Sequence, residues 1–462
     1  MKLNLNKTAL QTDILVIGSG SAGSVAALAA AQSNCKVTLV ERYGFAGGTS
    51  TQMLDTFYGF FTPSETPKKI VGGIPDAIVN VLNTTNDIFL RPNTYGAGTG
   101  VNYNPERLKV VWDNFLVQSG IHLLFHTTLV AVERVAETSL CTFFHKGRGF
   151  FTIEAKRVID ASGDADYCHW ADIPYEKAGE LEAAQSMTTI FRMSNVNLDE
   201  YSQAGGKKML SEKMAQAYDS GTHLLPRKEG SAHEMCQTNC ISTVAVKVAN
   251  KDALDLDSLT EAEIEGRKQS FIFEDFFRSE VPGYQNAKII GLSNQIGVRE
   301  TRRVYGHYRL DVDDCMAAKT FDDQIFLCGA PVEDHRQAAD GKSETHWRYV
   351  PDGGVYGVPY RTIVPLDSNN TWVVGRCFSA THEAHASCRS MAQTMSMGQA
   401  AGFAAVQSLQ NDCSAIDVDI STLQITLTNH GAVLELPTQV ADISRDGWTN
   451  NLCSSELTLR SK

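Results

Sequence analysis

The sequence predicts an α/β protein: a Rossmann-like dinucleotide-binding domain with a central parallel sheet and a β-meander, plus an inserted α+β substrate domain. Three observations predict it. A glycine-rich turn joins an apolar strand to an alanine-rich helix near the start of the chain. Three short alternating strands precede a further apolar strand, and mixed strand and helix patterns then interrupt the first domain before its own pattern resumes.

The first element is an apolar strand, 13–17, that runs into the turn Gly18-Ser19-Gly20-Ser21-Ala22-Gly23 at the start of a helix. Free backbone N–H groups at the positive end of that helix dipole suit a pyrophosphate. Gly18 makes the tight turn, Gly20 lets phosphates approach the backbone, and Gly23 lets the helix lie close to the strand. We therefore predict that these residues, with Ser21 and Ala22, hold a dinucleotide.

The second strand, 36–40, ends at Glu41, about twenty residues after the glycine turn. A carboxylate there accepts hydrogen bonds from ribose hydroxyls and repels a 2′-phosphate. The pair Gly47-Gly48 follows. A lone GxGxxG turn occurs in many α/β proteins, but the strand, the amphipathic helix and the placed acid together favour an adenine dinucleotide site.

Composition bounds the class of protein. A chain of 462 residues is long enough for two or three domains. Its formal net charge of −12 argues against a nucleic-acid or anionic-membrane partner. Residues 1–10 lack the apolar core of a signal peptide, and no apolar run reaches membrane-spanning length, so we expect a cytoplasmic protein. Eleven cysteines without a CxxC pair favour reduced thiols.

Further along the chain, a helix is predicted over 104–119, with Pro105 in its first turn, followed by a strand at 121–125. Segments 128–135, 139–145 and 149–155 read as the meander, with Gly147 in a turn. A buried strand at 157–160 then ends in Ala161-Ser162-Gly163-Asp164.

The chain changes character at about residue 175, where predicted strands at 187–193 and 241–248 alternate with a helix at 260–280. The predicted domains are a dinucleotide-binding domain over 1–174, which resumes over 356–412, an inserted substrate domain over 175–355, and a C-terminal extension over 413–462. The resumed part contains a strand at 371–374 that leads into Gly375-Arg376, and a small-residue segment at 391–409.

These motifs together resemble the FAD-binding pattern of flavoproteins related to succinate dehydrogenase and fumarate reductase. More closely, the chain resembles a family of FAD-dependent oxidoreductases over residues 12 to 410. The closer likeness rests on segments 281–284, 296–303, 379–385 and 398–402, in addition to 18–23, 41–42, 47–48, 159–164 and 374–376.

The resemblance implies FAD as the cofactor and gives roles to further residues. Thr49 and Ser50 are expected near the pyrophosphate, the Val130 backbone near adenine, and Asp164 on the ribityl or phosphate side. The segment Gly398-Gln399-Ala400 is expected to approach the flavin pyrimidine, where a helix terminus or backbone N–H would stabilise negative charge. The other cofactor-binding positions carried over are Arg42, Ala161, Gly163, Gly375 and Arg376. Relatives with covalently bound flavin have a histidine shortly after the glycine pair; Thr49-Ser50-Thr51 stands here, so non-covalent FAD is expected.

The segment His382-Glu383-Ala384-His385 and Arg389 are candidates for the chemistry. A histidine that titrates near neutrality can take a substrate proton while a hydride leaves to the flavin. The alternative is that both histidines are ordinary polar residues that hold a loop. The HExH spacing differs from the HExxH zinc pattern, so no metal is predicted.

Arginines near the predicted domain junction are candidates for binding a carboxylate substrate, because a guanidinium can bind it with two hydrogen bonds. Ion pairing across the interface is the competing interpretation. The residues concerned are Arg299, Arg302 and Arg303, and the pair Tyr360-Arg361.

A convincing second dinucleotide motif is missing, because Gly96 to Gly100 follows a polar loop rather than a strand. The favoured function is therefore hydride transfer between a small polar metabolite and non-covalent FAD. The alternatives are a flavin monooxygenase reduced by NAD(P)H and a non-catalytic FAD-binding subunit of an electron-transfer complex. The sequence leaves open the substrate, the direction of hydride transfer, the final electron acceptor and the oligomeric state.

Overall fold

The computed structural model describes residues 10–94, 96–135, 137–337 and 343–452. The strands are β1 Leu10–Ile17, β2 Val37–Val40, β3 Thr56–Phe57, β4 Ile88–Arg91, β5 Gly100–Tyr103, β6 His122–Leu124, β7 Thr127–Val135, β8 Thr138–His145, β9 Gly149–Asp160, β10 Tyr175–Lys177, β11 Phe191–Ser194, β12 Ser231–Glu234, β13 Ile241–Val244, β14 Lys288–Leu292, β15 Arg302–Val304, β16 Gln324–Cys328, β17 Val332–Gln337, β18 Ser343–Arg348, β19 Tyr356–Pro359 and β20 Thr371–Val373. The α-helices are α1 Ser21–Ala30, α2 Thr49–Gln52, α3 Ile74–Thr84, α4 Pro105–Gln118, α5 Asp166–Trp170, α6 Leu198–Gln203, α7 Gly206–Ser220, α8 Leu256–Glu280, α9 Val312–Met316, α10 His382–Cys388, α11 Met391–Asn411 and α12 Ile420–Asn429.

The central sheet confirms the predicted α/β fold. Strands β6, β2, β1 and β9 lie side by side in that order and are all parallel, and β20 pairs in parallel with β9. Strands β8 and β7 continue the sheet from β9 as an antiparallel meander. The chain therefore combines a Rossmann-like parallel sheet with the β-meander, as the sequence predicts.

Strand β9 is longer than expected. The sequence suggests two strands, at 149–155 and 157–160, but residues 149–160 form one strand of 12 residues. Its first part pairs with β8 and its last part with β20, while β1 pairs along most of its length. Because no turn-forming residue separates the two halves, the backbone stays extended.

Both faces of β1 are buried over residues 14–17, which explains the uninterrupted apolar sequence of this part of the strand. Ile14 and Val16 belong to a core that includes residues of α1 and α11. Leu15 and Ile17 belong to a separate core with residues of the meander. Successive side chains of a strand point to opposite faces, so each of these four residues packs into one of the two hydrophobic cores and is apolar.

Residues between Met187 and Ile296 form a further hydrophobic core. It lies among α7, α8 and the antiparallel sheet β12-β13-β11-β14. The predicted strand at 187–193 is shorter than expected, because Met187 makes only an isolated bridge with Val248 and β11 begins at Phe191. The predicted domain boundaries stay predictions.

Other local predictions are confirmed with small differences. Helix α4 begins at Pro105, and the Asn104 side chain accepts hydrogen bonds from the first-turn backbone N–H groups. Helix α8 begins four residues earlier than predicted, where Asp255 caps it through the Ser258 N–H at 2.8 Å. Among the described residues, no helix is long and apolar enough to cross a membrane. The predicted lack of a signal peptide concerns residues 1–10, of which 1–9 lie outside the described ranges.

Helices α1 and α11 pack closely because glycines of α11 face the backbone of α1. An added Cβ at Gly402 would lie 2.4 Å from the Ala26 carbonyl oxygen, which is too close for any side chain. We predict that Gly402→Val lowers the free energy of unfolding by about 1–3 kcal/mol through overpacking.

Thermal denaturation of the FAD-saturated protein measures this loss. Gly291→Val is the matched control, since an added Cβ there meets no atom within 4 Å. Equal melting temperatures for the two variants would contradict close packing of these helices.

Candidate functional site

The turn between β1 and α1 is held by two close backbone contacts. Gly18 has a φ of +93°, and an added Cβ would lie 2.4 Å from the Ala161 carbonyl oxygen. An added Cβ at Gly23 would lie 1.9 Å from the Gly18 carbonyl oxygen. Glycine at these two positions therefore brings the start of α1 against the end of β9.

Gly20 differs from these two glycines, because the nearest atom to an added Cβ there is the Gly48 Cα at 4.0 Å. Gly20 forms an isolated parallel bridge with Gly47, so the glycine pair lies beside the start of the helix. No side chain caps α1, and the buried hydroxyl of Ser21 has no hydrogen-bond partner among the described residues. Uncapped N–H groups and an unpartnered hydroxyl fit the diphosphate of a dinucleotide.

Glu41 lies at the end of β2, beside the turn. Its Oε2 accepts hydrogen bonds from the Ser19 N–H at 2.8 Å and the Ser19 hydroxyl at 2.9 Å, and its Oε1 accepts one from the Tyr43 N–H at 2.9 Å. A carboxylate has about four acceptor positions, so these bonds fix its orientation without using all of its capacity. The predicted ribose contact stays a prediction.

The glycine pair is followed directly by α2, in which Thr49 is exposed and Ser50 is buried. The Ser50 hydroxyl donates to the Gly47 carbonyl oxygen at 2.7 Å and so stabilises the loop. Val130 lies at a register shift in β7, between Leu129 and Ala131. A bulge leaves backbone groups outside the ladder, which is compatible with the predicted contact to adenine.

Asp164 and Arg376 form the other end of the predicted cofactor site. Arg376 donates to the Asp164 carboxylate at 2.5 Å, to the Gly163 carbonyl oxygen at 2.7 Å, and also to the Val298 carbonyl oxygen. Burial opposes ionisation of Asp164, but Arg376 and Arg42 outweigh it and lower the pKa of this carboxyl group. Gly375 lies beside Ala22, whose Cβ would be 3.4 Å from an added Cβ.

The expectation for Gly398, Gln399 and Ala400 is wrong in one respect. These residues lie inside α11, so their N–H groups belong to the helix ladder and are not free to approach a flavin. An added Cβ at Gly398 would lie 2.1 Å from the Ala22 carbonyl oxygen, and the Gln399 side chain accepts from the Ile74 N–H at 2.8 Å. This segment therefore packs the helix and orders a loop.

The segment 298–302 connects the predicted cofactor site to a group of buried charged side chains. On one side, Thr301 donates to the Asp164 carboxylate at 3.0 Å. Arg302 donates to the Asp164 carbonyl oxygen at 2.7 Å and pairs with Asp166 at 3.3 Å. The prediction that Arg302 binds substrate is therefore replaced by a role in ordering the Asp164 loop.

His382 is enclosed by carboxylates. Its Nδ1 lies 3.1 Å from the Glu300 carboxylate and its Nε2 lies 3.0 Å from the Asp334 carboxylate. Burial opposes protonation, but the hydrogen bonds to Asp334 and Glu300 outweigh it and raise the pKa of His382 to about 9. Both ring nitrogens are engaged by carboxylates and the raised pKa favours the protonated ring at neutral pH, which argues against the predicted role of His382 as a general base. Glu300 also pairs with the buried Arg303.

His385 has the opposite character. Its Nε2 lies 2.7 Å from the Arg376 carbonyl oxygen, which makes that nitrogen the donor, and its buried Nδ1 has no partner among the described residues. Burial and the positive charges of Arg389 and Arg303 lower the pKa of His385 to about 3. His385 is therefore a neutral ring with a lone pair available, and it alone of the two predicted histidines keeps a free ring nitrogen.

Arg299 and Arg389 contact two consecutive residues, Ser186 and Gln185. Arg299 donates to the Ser186 carbonyl oxygen, and Arg389 donates to the Gln185 side-chain oxygen at 3.0 Å. The Ser186 N–H donates to the His335 carbonyl oxygen at 3.2 Å, which adds β17 to the group. The structure thus brings together two of the predicted arginines, although they are 90 positions apart in the chain.

Gln185, Arg227 and Glu333 lie in the same group but are not predicted from the sequence. None of them belongs to a local motif, and no spacing in the sequence connects them. Only the buried, unpartnered amide nitrogen of Gln185 marks that residue, and this signal needs the fold.

The predicted role of Tyr360 and Arg361 in binding a carboxylate substrate is corrected by their contacts. The buried Tyr360 hydroxyl donates to the Ala415 carbonyl oxygen at 2.6 Å and accepts from the Trp372 indole at 2.8 Å. Arg361 pairs with Asp323 at 2.8 Å. These contacts engage both side chains with residues other than those around Arg299 and Arg389, so the structure does not bring Tyr360 and Arg361 into the charged group.

A family model described as FAD dependent oxidoreductase matches residues 13–427, so the chain belongs to this family and FAD is its cofactor. A search of curated proteins gave no significant match. Among solved structures, BexE from BE-7585A biosynthesis is 12% identical with a TM-score of 0.41, and the alignment covers 64% of this chain but only 54% of that chain. A p-nitrophenol 4-monooxygenase from Pseudomonas putida is 9% identical over 92% of this chain and 89% of that chain, with a TM-score of 0.45. A geranylgeranyl bacteriochlorophyll reductase-like protein from Thermoplasma acidophilum is 11% identical over 98% of both chains, with a TM-score of 0.46. The expected relation to succinate dehydrogenase and fumarate reductase stays a prediction.

Gly20→Val should abolish FAD retention while the apoprotein still folds. The added Cβ makes only an ordinary van der Waals contact in the protein, with the Gly48 Cα at 4.0 Å, and the backbone has φ −62°, which valine adopts without strain. The ratio of flavin to protein absorbance after purification measures retention, and thermal denaturation of the apoprotein measures folding. Normal FAD content in this variant would remove the assigned diphosphate site.

Protonated His382 should stabilise the fold in acid and neutral solution. Its folded pKa of about 9 exceeds the ordinary value of 6.5, so this stabilisation is fully present below about pH 6.5 and is lost as the pH rises through 9. The contribution is on the order of 3 kcal/mol. In His382→Gln, the difference in unfolding free energy from wild type should shrink between pH 6.5 and pH 9. A difference that stays constant over this range would show that His382 is not protonated in the folded protein.

Proposed function

We propose that this FAD-dependent oxidoreductase transfers a hydride between a small polar metabolite and non-covalently bound FAD. The observation that carries the proposal is the segment 298–302, which contacts the predicted cofactor site on one side and a buried charged group on the other. Arg376 and Asp164 contact this segment through Val298 and Thr301, and Arg299 extends from it to Ser186. A polar substrate bound at Arg299 would thus lie beside the cofactor site.

Different residues of the chain would bind different parts of FAD. The uncapped start of α1, with Gly20 and the Ser21 hydroxyl, would hold the diphosphate, and Glu41 would orient the ribose. Arg376 and Asp164 would hold the ribityl side. FAD, once bound, supplies the two-electron chemistry by accepting or donating a hydride.

Arg299 and Arg389 would bind an anionic or strongly polar part of the substrate. Guanidinium groups bind carboxylates and phosphates with paired hydrogen bonds, and partial burial strengthens these bonds. Both arginines are already oriented by protein acceptors, at Ser186 and Gln185. Less conformational freedom is therefore lost when a substrate binds.

His385 is the candidate partner for the substrate proton. Its Nε2–H is fixed on the Arg376 carbonyl oxygen, which leaves Nδ1 as the acceptor. Burial and the nearby arginines hold its pKa low, and an anion bound between the arginines and the ring would offset part of the arginines' effect. His382, in contrast, would position Glu300 and Asp334 by donating to both.

Attachment of the flavin is proposed to be non-covalent. The residues directly after the glycine pair are Thr49, Ser50 and Thr51, and none has a ring nitrogen that could bond to the flavin. The hydroxyls of Ser50 and Thr51 donate to the carbonyl oxygens of Gly47 and Ala46, at 2.7 and 2.6 Å. Their local role is to order the loop.

An anaerobic screen of small metabolites tests the proposal. We expect at least one polar metabolite to bleach the flavin absorbance of the oxidised protein, or to reoxidise the reduced protein, without a nicotinamide. Rapid bleaching by NADPH alone, followed by oxygen-dependent hydroxylation of a substrate, would show a monooxygenase instead. A flavin that no small molecule reduces or reoxidises would favour a subunit of an electron-transfer complex.

A further inference from the structure

Three arginines from separate parts of the chain converge near Gln185: Arg227, Arg299 and Arg389. We call them, with Gln185, the arginine cluster. Arg389 contacts Gln185 directly, and Arg299 contacts the carbonyl oxygen of the next residue. The side chain of Arg227 is 12% exposed, and its charge acts on both Arg299 and Glu333. The cluster therefore includes residues on both sides of the predicted domain junction.

The charges of the cluster are not balanced by the carboxylate beside it. Three guanidinium groups face Glu333, whose carboxylate also lies 3.1 Å from His335. The neighbouring Asp334 is engaged with protonated His382. Burial, followed by the positive charge of Arg389, lowers the pKa of Arg299 to about 9, so the group stays charged at neutral pH. Arg227 also pairs with Glu229 at 3.9 Å, and the cationic Lys247 acts on both Arg227 and Arg299. With these two residues counted, four cations (the three arginines and Lys247) face two carboxylates (Glu333 and Glu229), so two positive charges remain in excess.

Hydrogen-bond donors in the cluster also lack partners. The Nε atoms of Arg227 and Arg389 and the side-chain nitrogen of Gln185 are all buried without an acceptor among the described residues. Gln185 is only 4% exposed. A buried donor without an acceptor is destabilising, so three of them in one cluster indicate that an acceptor-rich group binds there.

We propose that the arginine cluster binds a compact anion with at least two negative charges, and that this anion is the charged part of the substrate. Carboxylate and phosphate oxygens both accept bonds from guanidinium and amide donors, and two negative charges would neutralise the excess. The second half of this inference rests on the proposed function, because it assigns the bound anion to the molecule that exchanges a hydride. The first half concerns binding alone.

Titration of the FAD-saturated protein with probe anions tests the binding. Tricarballylate and inorganic pyrophosphate serve as the multivalent carboxylate and phosphate probes, and acetate at equal ionic strength serves as the monovalent probe. Isothermal calorimetry and the shift of the flavin absorbance spectrum report binding. We expect at least one multivalent probe to bind at least tenfold more tightly than acetate. The tighter of the two identifies the substrate chemistry as polycarboxylate or phosphate.

Variants of the cluster identify the site. Arg299→Gln and Arg389→Gln should each weaken binding of the preferred probe by about 10- to 100-fold, the effect of losing charge-assisted hydrogen bonds. Arg361→Gln is the matched control, because it removes an arginine that pairs with Asp323 outside the cluster. FAD content and melting temperature must stay close to wild type for each variant. Arg227→Gln provides a further test if either of the first two fails to fold.

The outcomes separate this inference from the proposed function. Equal affinity for acetate and the multivalent probes, or equal affinity of the cluster variants and the control, would overturn the anion site. If the anion binds as expected but no metabolite exchanges a hydride with the flavin, the proposed function fails and the binding site stands. If a metabolite reduces the flavin and the preferred probe does not compete with it, the assignment of the anion to the substrate is wrong.

Discussion

The close approach of backbone at the end of β1 is the constraint on which the rest of the structure depends. Gly18 must lie against Ala161, and Gly23 against Gly18, for the start of α1 to reach the end of β9. The same helix is then held by α11 across Gly398 and Gly402. Because backbone lies against backbone at each contact, α1 can shift little, and its uncapped N–H groups stay directed to one place. A binding site for a diphosphate needs such fixed donors.

Two groups of buried charges lie beyond that site and differ in their balance. His382, Glu300, Asp334 and Arg303 pair with one another, so opposite charges meet at short range. The arginine cluster has fewer carboxylates than cations. A balanced group orders the protein around it, whereas an unbalanced group costs free energy until a ligand of opposite sign arrives. The two groups share the segment 298–302, which ties the ordering of one to the position of the other.

The sequence predicts those features of the molecule that depend on interactions between residues close together in the chain. The glycine turn, the acid at Glu41 and the start of α4 with Pro105 in its first turn depend on near neighbours in the chain, and the structure places each where the pattern indicates. The charged groups depend on residues far apart in sequence. His382 was predicted as a base because a lone histidine titrates near neutrality, but two carboxylates from distant elements raise its pKa. Gln185 and Arg227 had no local pattern and became visible only through their buried, unpartnered donors.

The continuous β9 strand limits where the length of the chain can vary in evolution. The first half of β9 pairs with β8, which in turn pairs with β7, the strand that contains the Val130 bulge. The other end of β9 leads into Asp164. One continuous strand therefore fixes the separation of the two ends of the predicted cofactor site. Insertion of one residue within β9 would turn every following side chain to the opposite face of the sheet, and it would also increase the separation of the two ends of the site. Length variation among relatives should therefore accumulate in the hairpin turn around Gly147 and spare the strand itself.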